Sequence, residues 1–229
     1  VLGYGGYVFI HDLHRQQGLK IVRCSPIEDR VPDYCGADAV IRFSEDPDEF
    51  NNWNGEKKQV ITMAQSFKKR GDHLGFPLFE KVTHGFNPKV IGTDNQDLGD
   101  LWVGQRSYRE LIDDLRQSRA FFYFGTIPVP YTLSFVEAMM VGVPIVAAGA
   151  QLRKHFAYPW SNYEVPEIIS NGVNGFVSDN IDELRGYIDA LLKDDALANR
   201  ISEAGRKTAI ELFGKKQRMA EWGDLLRRI

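Results

Sequence analysis

Cysteine is almost missing from this sequence. Cys24 and Cys35 are the only two in 229 residues, and no Cys-x-x-Cys pair or Cys/His cluster accompanies them. A disulfide-stapled scaffold and a thiolate zinc site are both disfavoured, and the two read as reduced thiols of a cytoplasmic protein. No run of about 18 apolar residues occurs, so no helix is expected to span a bilayer. The apolar opening reaches "HDLHRQQ" too soon for a signal peptide. An excess of positive charge is also lacking. The formal net charge of −3 withholds the electrostatic footprint of a general nucleic-acid binder. Neither Gly-x-Ser-x-Gly nor His-Glu-x-x-His occurs, and His11 and His14 find no further ligands for a metal. The glycines of "VLGYGGYV" follow no strand and do not complete a dinucleotide fingerprint, which disfavours a dehydrogenase. The chain begins with Val1, and an upstream portion is expected.

What is present is an alternation. From residue 57 onward, strand-length apolar runs at 59–65, 88–93, 120–125, 143–149 and 173–179 alternate with helical patterns. Leu111 and Leu115 share one helix face, as do Leu184, Ile188 and Leu191 on a later helix that Asp179 or Asn180 can cap. Two more helical stretches, 195–212 and 215–229, close the chain. Strands continuously apolar and separated by helices predict an α/β fold, a Rossmann-like doubly wound parallel sheet with carboxyl-terminal helices. Residues 56–229 form that domain. Residues 1–55 carry three shorter strand-like runs, at 7–10, 19–25 and 38–44, then an acidic, Asn-rich stretch that reads as a linker. They either extend the main sheet or, the favoured reading, end an incomplete amino-terminal α/β domain.

Ligands of open α/β sheets bind beyond the carboxyl ends of the strands, and three such ends carry polar chemistry. "QSFKKRGD" places Lys68, Lys69 and Arg70 before a helix, suited to a phosphate group or simply to solvent. "IGTDN" offers Thr93, Asp94 and Asn95, with Gly92 allowing close backbone approach. In "PVPYTLSFVEAMMVGVPIV", Pro128 and Pro130 set an extended approach, and Thr132 or Ser134 can cap a helix whose free amides attract an anion. That helix is apolar nearly all round, Met139 and Met140 included, and so buried. Yet it contains Glu137. A buried carboxylate needs donors, a cation or a proton; Arg119 could supply a structural partner, and a bound ligand could serve equally.

In order, these pieces resemble the carboxyl-terminal half of a GT-B glycosyltransferase of group 1, or family 4. The resemblance covers residues 57–229. It is strongest in "SFVEAMMVGVPIVAAG…VPEIISNGVNGFV", which resembles the family signature EAMA-GxPVVA…PEI-x-x-GxxGFLV; "SFKKRGDHL" resembles the family's basic loop. The resemblance implies a retaining enzyme that transfers a sugar from a nucleoside diphosphate sugar to a saccharide, lipid or other acceptor. It implies that Glu137 holds ribose hydroxyls, that helix-start amides around Thr132, Leu133 and Ser134 receive the diphosphate, and that Arg70 takes the place of the family's basic lysine. Two positions depart from the family: Val129 stands where the first Glu of E-x7-E belongs, and Gln65 where a second cation belongs. A stretch at 150–165 is inserted, long enough for a lid or an acceptor-side loop.

The donor site is therefore expected at Lys69, Arg70, Thr93, Thr132, Leu133, Ser134 and Glu137, with no metal and no cofactor beyond the donor. The other expected partners are the acceptor, a peripheral membrane contact, and a second chain or a missing amino-terminal domain. The departures at Val129 and Gln65 favour a rival reading, a non-catalytic Rossmann-like module binding a nucleotide or a protein.

Overall fold

The computed structural model describes residues 11–32, 34–154 and 162–228. Five parallel strands form the main sheet: β3 (Lys57–Met63), β4 (Pro88–Ile91), β5 (Ser118–Tyr123), β6 (Ile145–Ala148) and β7 (Phe176–Ser178). Their spatial order is β4-β3-β5-β6-β7. Chain order therefore reverses between β3 and β5, which is the topological switch point of this sheet.

Strand side chains alternate between two cores. Ile61, Phe121, Tyr123, Ile145 and Ala147 enter one apolar cluster, whereas Val60, Ala120, Phe122, Val146 and Ala148 enter the other. The period of two along each strand makes both faces apolar at once, and helices cover both. On the first face lie α3 (Tyr108–Gln117), α4 (Leu133–Val141) and α5 (Val165–Ile168). On the second lie α1 (Phe67–Arg70), α2 (Phe76–Thr83) and α6 (Ile181–Lys193). The long α7 (Asp195–Phe213) contributes Ala198 and Ile201 to the second core and Ala209 and Phe213 to the first. A final helix, α8, spans Lys215–Arg228.

The predicted elements appear with ends shifted by a few residues. Leu184, Ile188 and Leu191 are fully buried, each stabilising by roughly 1.5–3 kcal/mol relative to exposure. Asn180 caps α6 by accepting from Asp182 N at 2.8 Å. Asp179, the other candidate cap, instead accepts from Gln151 N and Leu152 N at 2.7 and 3.1 Å. The approach to α4 is a turn rather than an extended segment, closed by a bond from Val129 N to Thr126 O at 3.0 Å.

The amino-terminal portion stands apart. β1 (Val22–Arg23) and β2 (Ala39–Val40) pair in parallel as a two-stranded sheet of their own and do not join the main sheet. The expected strand at 7–10 lies outside the described residues. The stretch read as a linker is strapped to the domain. Phe50 is fully buried in the first core, Trp53 donates to Ser118 O at 2.8 Å, and Arg206 donates to the carbonyls of Pro47, Phe50 and Met140. Polarity hid this strap in the sequence, because its apolar anchors are only Phe50 and Trp53.

Candidate functional site

At the carboxyl ends of β3 and β5 the sheet opens into a cavity of about 240 Å³. Its walls come from the end of β3 (Met63, Ala64, Gln65), from Arg70 on α1, from Tyr123 to Thr126 after β5, and from Thr132, Leu133 and Ser134 at the start of α4. The switch point and the cavity coincide, as the topology requires.

The loop holding Arg70 is fixed from below. Asn95 is fully buried; its side chain accepts from Phe67 N and donates to Ala64 O, both at 2.7 Å. Ser66 N donates to Thr93 O at 3.0 Å. Gly92, at φ +139°, sits so close that a Cβ there would meet Ala64 O at 2.1 Å. Close approach at Gly92 thus serves the β3 strand end, not a ligand. Asn95 and Thr93 brace the basic helix from behind: Thr93 and the exposed Lys69 do not line the cavity.

The α4 side is arranged differently. Thr132 occupies the N-cap position with extended φ/ψ, yet its hydroxyl makes no cap bond. It meets Tyr123 Oη at 3.2 Å and Ser134 Oγ at 2.7 Å, while Thr132 N donates to Tyr123 Oη at 3.0 Å. The first turn closes only through Phe135 N and Val136 N to Thr132 O. The amides of Leu133 and Ser134 therefore have no acceptor among the described residues and remain free at the positive end of the helix. Sequence reasoning missed Tyr123, whose signal was one hydroxyl at the end of an otherwise apolar strand.

Glu137 lies one turn further along α4, at i+4 from Leu133 and i+3 from Ser134, outside the cavity lining. It makes no hydrogen bond or ion pair among the described residues. Burial, with the nearby Glu45 carboxylate adding to it, pushes its carboxyl up to about 7. Arg119, the partner the sequence offered, is engaged elsewhere: it bonds Gly55 O at 2.7 Å and Asp195 at 2.5 Å. Tyr108 lies near enough to feel the Glu137 charge; partial desolvation and then the Glu49 and Glu45 carboxylates push the phenol of this half-exposed residue up to about 12.

The two departing positions are also visible. Val129 is 36% exposed, an apolar side chain outside the cavity lining. Gln65 does line it, and donates to Asp94 at 3.2 Å. No group of three or more His, Cys, Asp or Glu side chains among the described residues is placed to hold a metal.

Arg70, Thr132, Leu133 and Ser134 are thus brought together at one opening, with Glu137 one helical turn away and Lys69 and Thr93 outside. One guanidinium and two free helix-start amides facing a small cavity suit an anion of the size of a phosphate group.

Among curated proteins no sequence matches this chain. Solved structures do. A glycosyltransferase from Rickettsia africae is similar over 100% of this chain and 69% of its own, at 16% identity and a TM-score of 0.66. Sucrose-phosphate synthase from Thermosynechococcus elongatus is similar over 90% of this chain and 57% of its own, at 16% identity and a TM-score of 0.67. HepE from Anabaena, solved in complex with UDP and glucose, is similar over 83% of this chain and 56% of its own, at 17% identity and a TM-score of 0.63. This chain spans little more than half the length of the last two, and at such identity the likeness is one of fold, the α/β fold of GT-B glycosyltransferases. The family model of glycosyl transferases group 1 matches residues 44–208, from the strap through most of α7. The chain belongs to the group 1 glycosyl transferase family.

Proposed function

We propose that this chain is the donor-binding part of a retaining glycosyltransferase that moves a sugar from a nucleoside diphosphate sugar to a saccharide, lipid or other acceptor. The observation that carries the reading is the switch-point cavity, where Arg70 faces the free amides of Leu133 and Ser134. The diphosphate lies there. As the glycosidic bond breaks, negative charge grows on the departing nucleoside diphosphate, and fixed donors aimed at that charge lower the barrier. Cation and amides can neutralise it without a metal, and no cofactor is invoked beyond the donor. Glu137, a half-buried carboxylate with no partner among the described residues, accepts the two ribose hydroxyls, which gives the charge its donors. The acceptor side is supplied by an amino-terminal domain or second chain, and the protein works in the cytoplasm with peripheral membrane contact where the acceptor is a lipid.

Calorimetric titration with UDP, GDP, ADP and their sugars tests the reading; UDP comes first because HepE was solved with it. One nucleoside diphosphate is expected to bind with a Kd in the micromolar to low millimolar range. Absence of binding by all of them at millimolar concentration overturns the proposal. The apolar Val129 favours a second reading, a nucleotide-binding module without transferase activity. Release of nucleoside diphosphate from a donor sugar, dependent on added acceptor and on the protein, rejects that second reading.

A further inference from the structure

One cation in the neighbourhood of the cavity has no role so far. Arg153 sits on the loop after β6, in the inserted stretch, and is 7% exposed. No carboxylate among the described residues pairs with it, and residues 155–161 of the same loop contain no Asp or Glu. Its guanidinium carbon lies 3.6 Å from the centre of the Tyr163 ring and 5.5 Å from that of Phe124. One terminal nitrogen donates to Thr126 O at 3.0 Å, and Nε is buried with no acceptor among the described residues.

Aromatic faces and one carbonyl hold the group in place but do not neutralise it. A buried guanidinium without an anion is costly, and burial depresses its proton affinity accordingly. The contacts point toward one place. Phe124 and Thr126, two of the described residues that hold it, line the switch-point cavity, and Tyr123 beside them holds the start of α4. Among the described residues Arg70 is the sole cation in the lining itself, and a nucleoside diphosphate brings two to three negative charges.

We infer that Arg153, which stands behind Phe124 and Thr126 rather than in the lining itself, is the second cation of the diphosphate subsite, delivered by the inserted loop. The inference rests on the donor-site reading. It gives the insertion a role at the donor phosphates rather than at the acceptor. The ligand class is a pyrophosphate group, and the nucleoside part lies beyond Arg153's reach.

The test compares UDP, inorganic pyrophosphate and uridine on the full chain, for the native protein and for Arg153→Met and Arg153→Lys. Loss of a charge-assisted contact predicts about a tenfold to hundredfold weaker Kd for UDP and pyrophosphate in Arg153→Met. Uridine should change less than twofold, and Arg153→Lys should recover part of the loss. Equal weakening of all three ligands would show that Arg153 only packs Tyr163 and Phe124. Unchanged UDP and pyrophosphate binding in Arg153→Met rejects the inference and leaves the donor site standing. If the native chain binds neither ligand, the donor reading falls and this inference with it. Should Arg153→Met not fold, the NεH resonance of Arg153 in the native protein serves instead. It shifts on adding pyrophosphate if the inference holds and stays in place if it does not.

Discussion

At the scale of single residues, Glu137 is the position where physics and pattern disagree most. Its helix is apolar on nearly every face, and no cation among the described residues answers its charge. Its carboxyl is raised from 4.5 to about 7, so the folded state holds a proton that the unfolded chain releases earlier. The associated stability is fully present below pH 4.5 and is lost as pH rises through 7. Glu137→Gln removes that loss. Its Tm should exceed the native value at pH 8, by about 2–4 °C for each kcal/mol recovered, and the gain should shrink toward pH 5. Ligand binding should move the opposite way. A carboxylate that accepts ribose hydroxyls binds better once ionised, so the affinity for uridine, which carries no phosphate to titrate, should rise from pH 6 to pH 8 in the native protein. Calorimetry on Glu137→Gln should find that slope flattened and the affinity lower. A slope that survives the substitution rejects the ribose role. Arg70 makes a simpler case: Arg70→Ala should weaken UDP by about tenfold to a hundredfold through a lost charge-assisted bond, with Tm unchanged because the side chain is exposed.

At the scale of elements, the fold was largely legible and the site only partly. Continuous apolar runs such as 120–123, too short for a helix and bounded by helical patterns, read as strands covered on both faces, so sheet and helices followed from period and length. The cavity residues Arg70 and Ser134 were legible too, since strand ends and helix starts are marked by local composition. What local pattern could not reveal is support from a distance. Asn95 read as a ligand-side polar group, yet it is a buried brace between the ends of β3 and α1. Tyr123 and Arg153 act through partners several residues or a whole loop away, which no spacing rule records. Asn95→Ala should therefore behave unlike a binding-site variant. It strands a buried N–H and a buried carbonyl, at a cost of about 1–3 kcal/mol for each group left unpaired. A lower Tm together with weaker UDP binding is expected from thermal melts and titration, since α1 loses its fixed entry. Weaker binding with an unchanged Tm would mean that Asn95 touches the ligand instead.

At the scale of the whole molecule, the amino-terminal segment and the inserted loop are held by one buried network. Glu164, 3% exposed at the far end of that loop, is paired bidentately with Arg42 and accepts from Ser25 Oγ. Arg42 also lies over the rings of Tyr131 and Phe213, and Tyr131 Oη donates to Cys24 O. Arg30 pairs with Glu167 on α5, an exposed contact worth little alone. The loop thus has two anchors, Asp179 near its start and Glu164 at its end, with Arg153 and Tyr163 between them. Removing one partner of a buried pair costs about 3–5 kcal/mol because the other charge stays buried. The pair joins the amino-terminal segment to the loop and belongs to no strand of the main sheet, so its loss is expected to fall on the docking of that segment. In Arg42→Met, trypsin should cut at Lys20, Arg23 or Arg30 much faster than in the native chain, while the fragment carrying the main sheet persists. The double variant Arg42→Met/Glu164→Leu, which leaves no buried charge, should regain most of the resistance. UDP affinity should fall in the single variant and return in the double one, because slackening the Glu164 anchor also slackens the loop that carries Arg153. Native-like resistance in Arg42→Met would place the docking energy in the aromatic contacts around Tyr131 rather than in the ion pair.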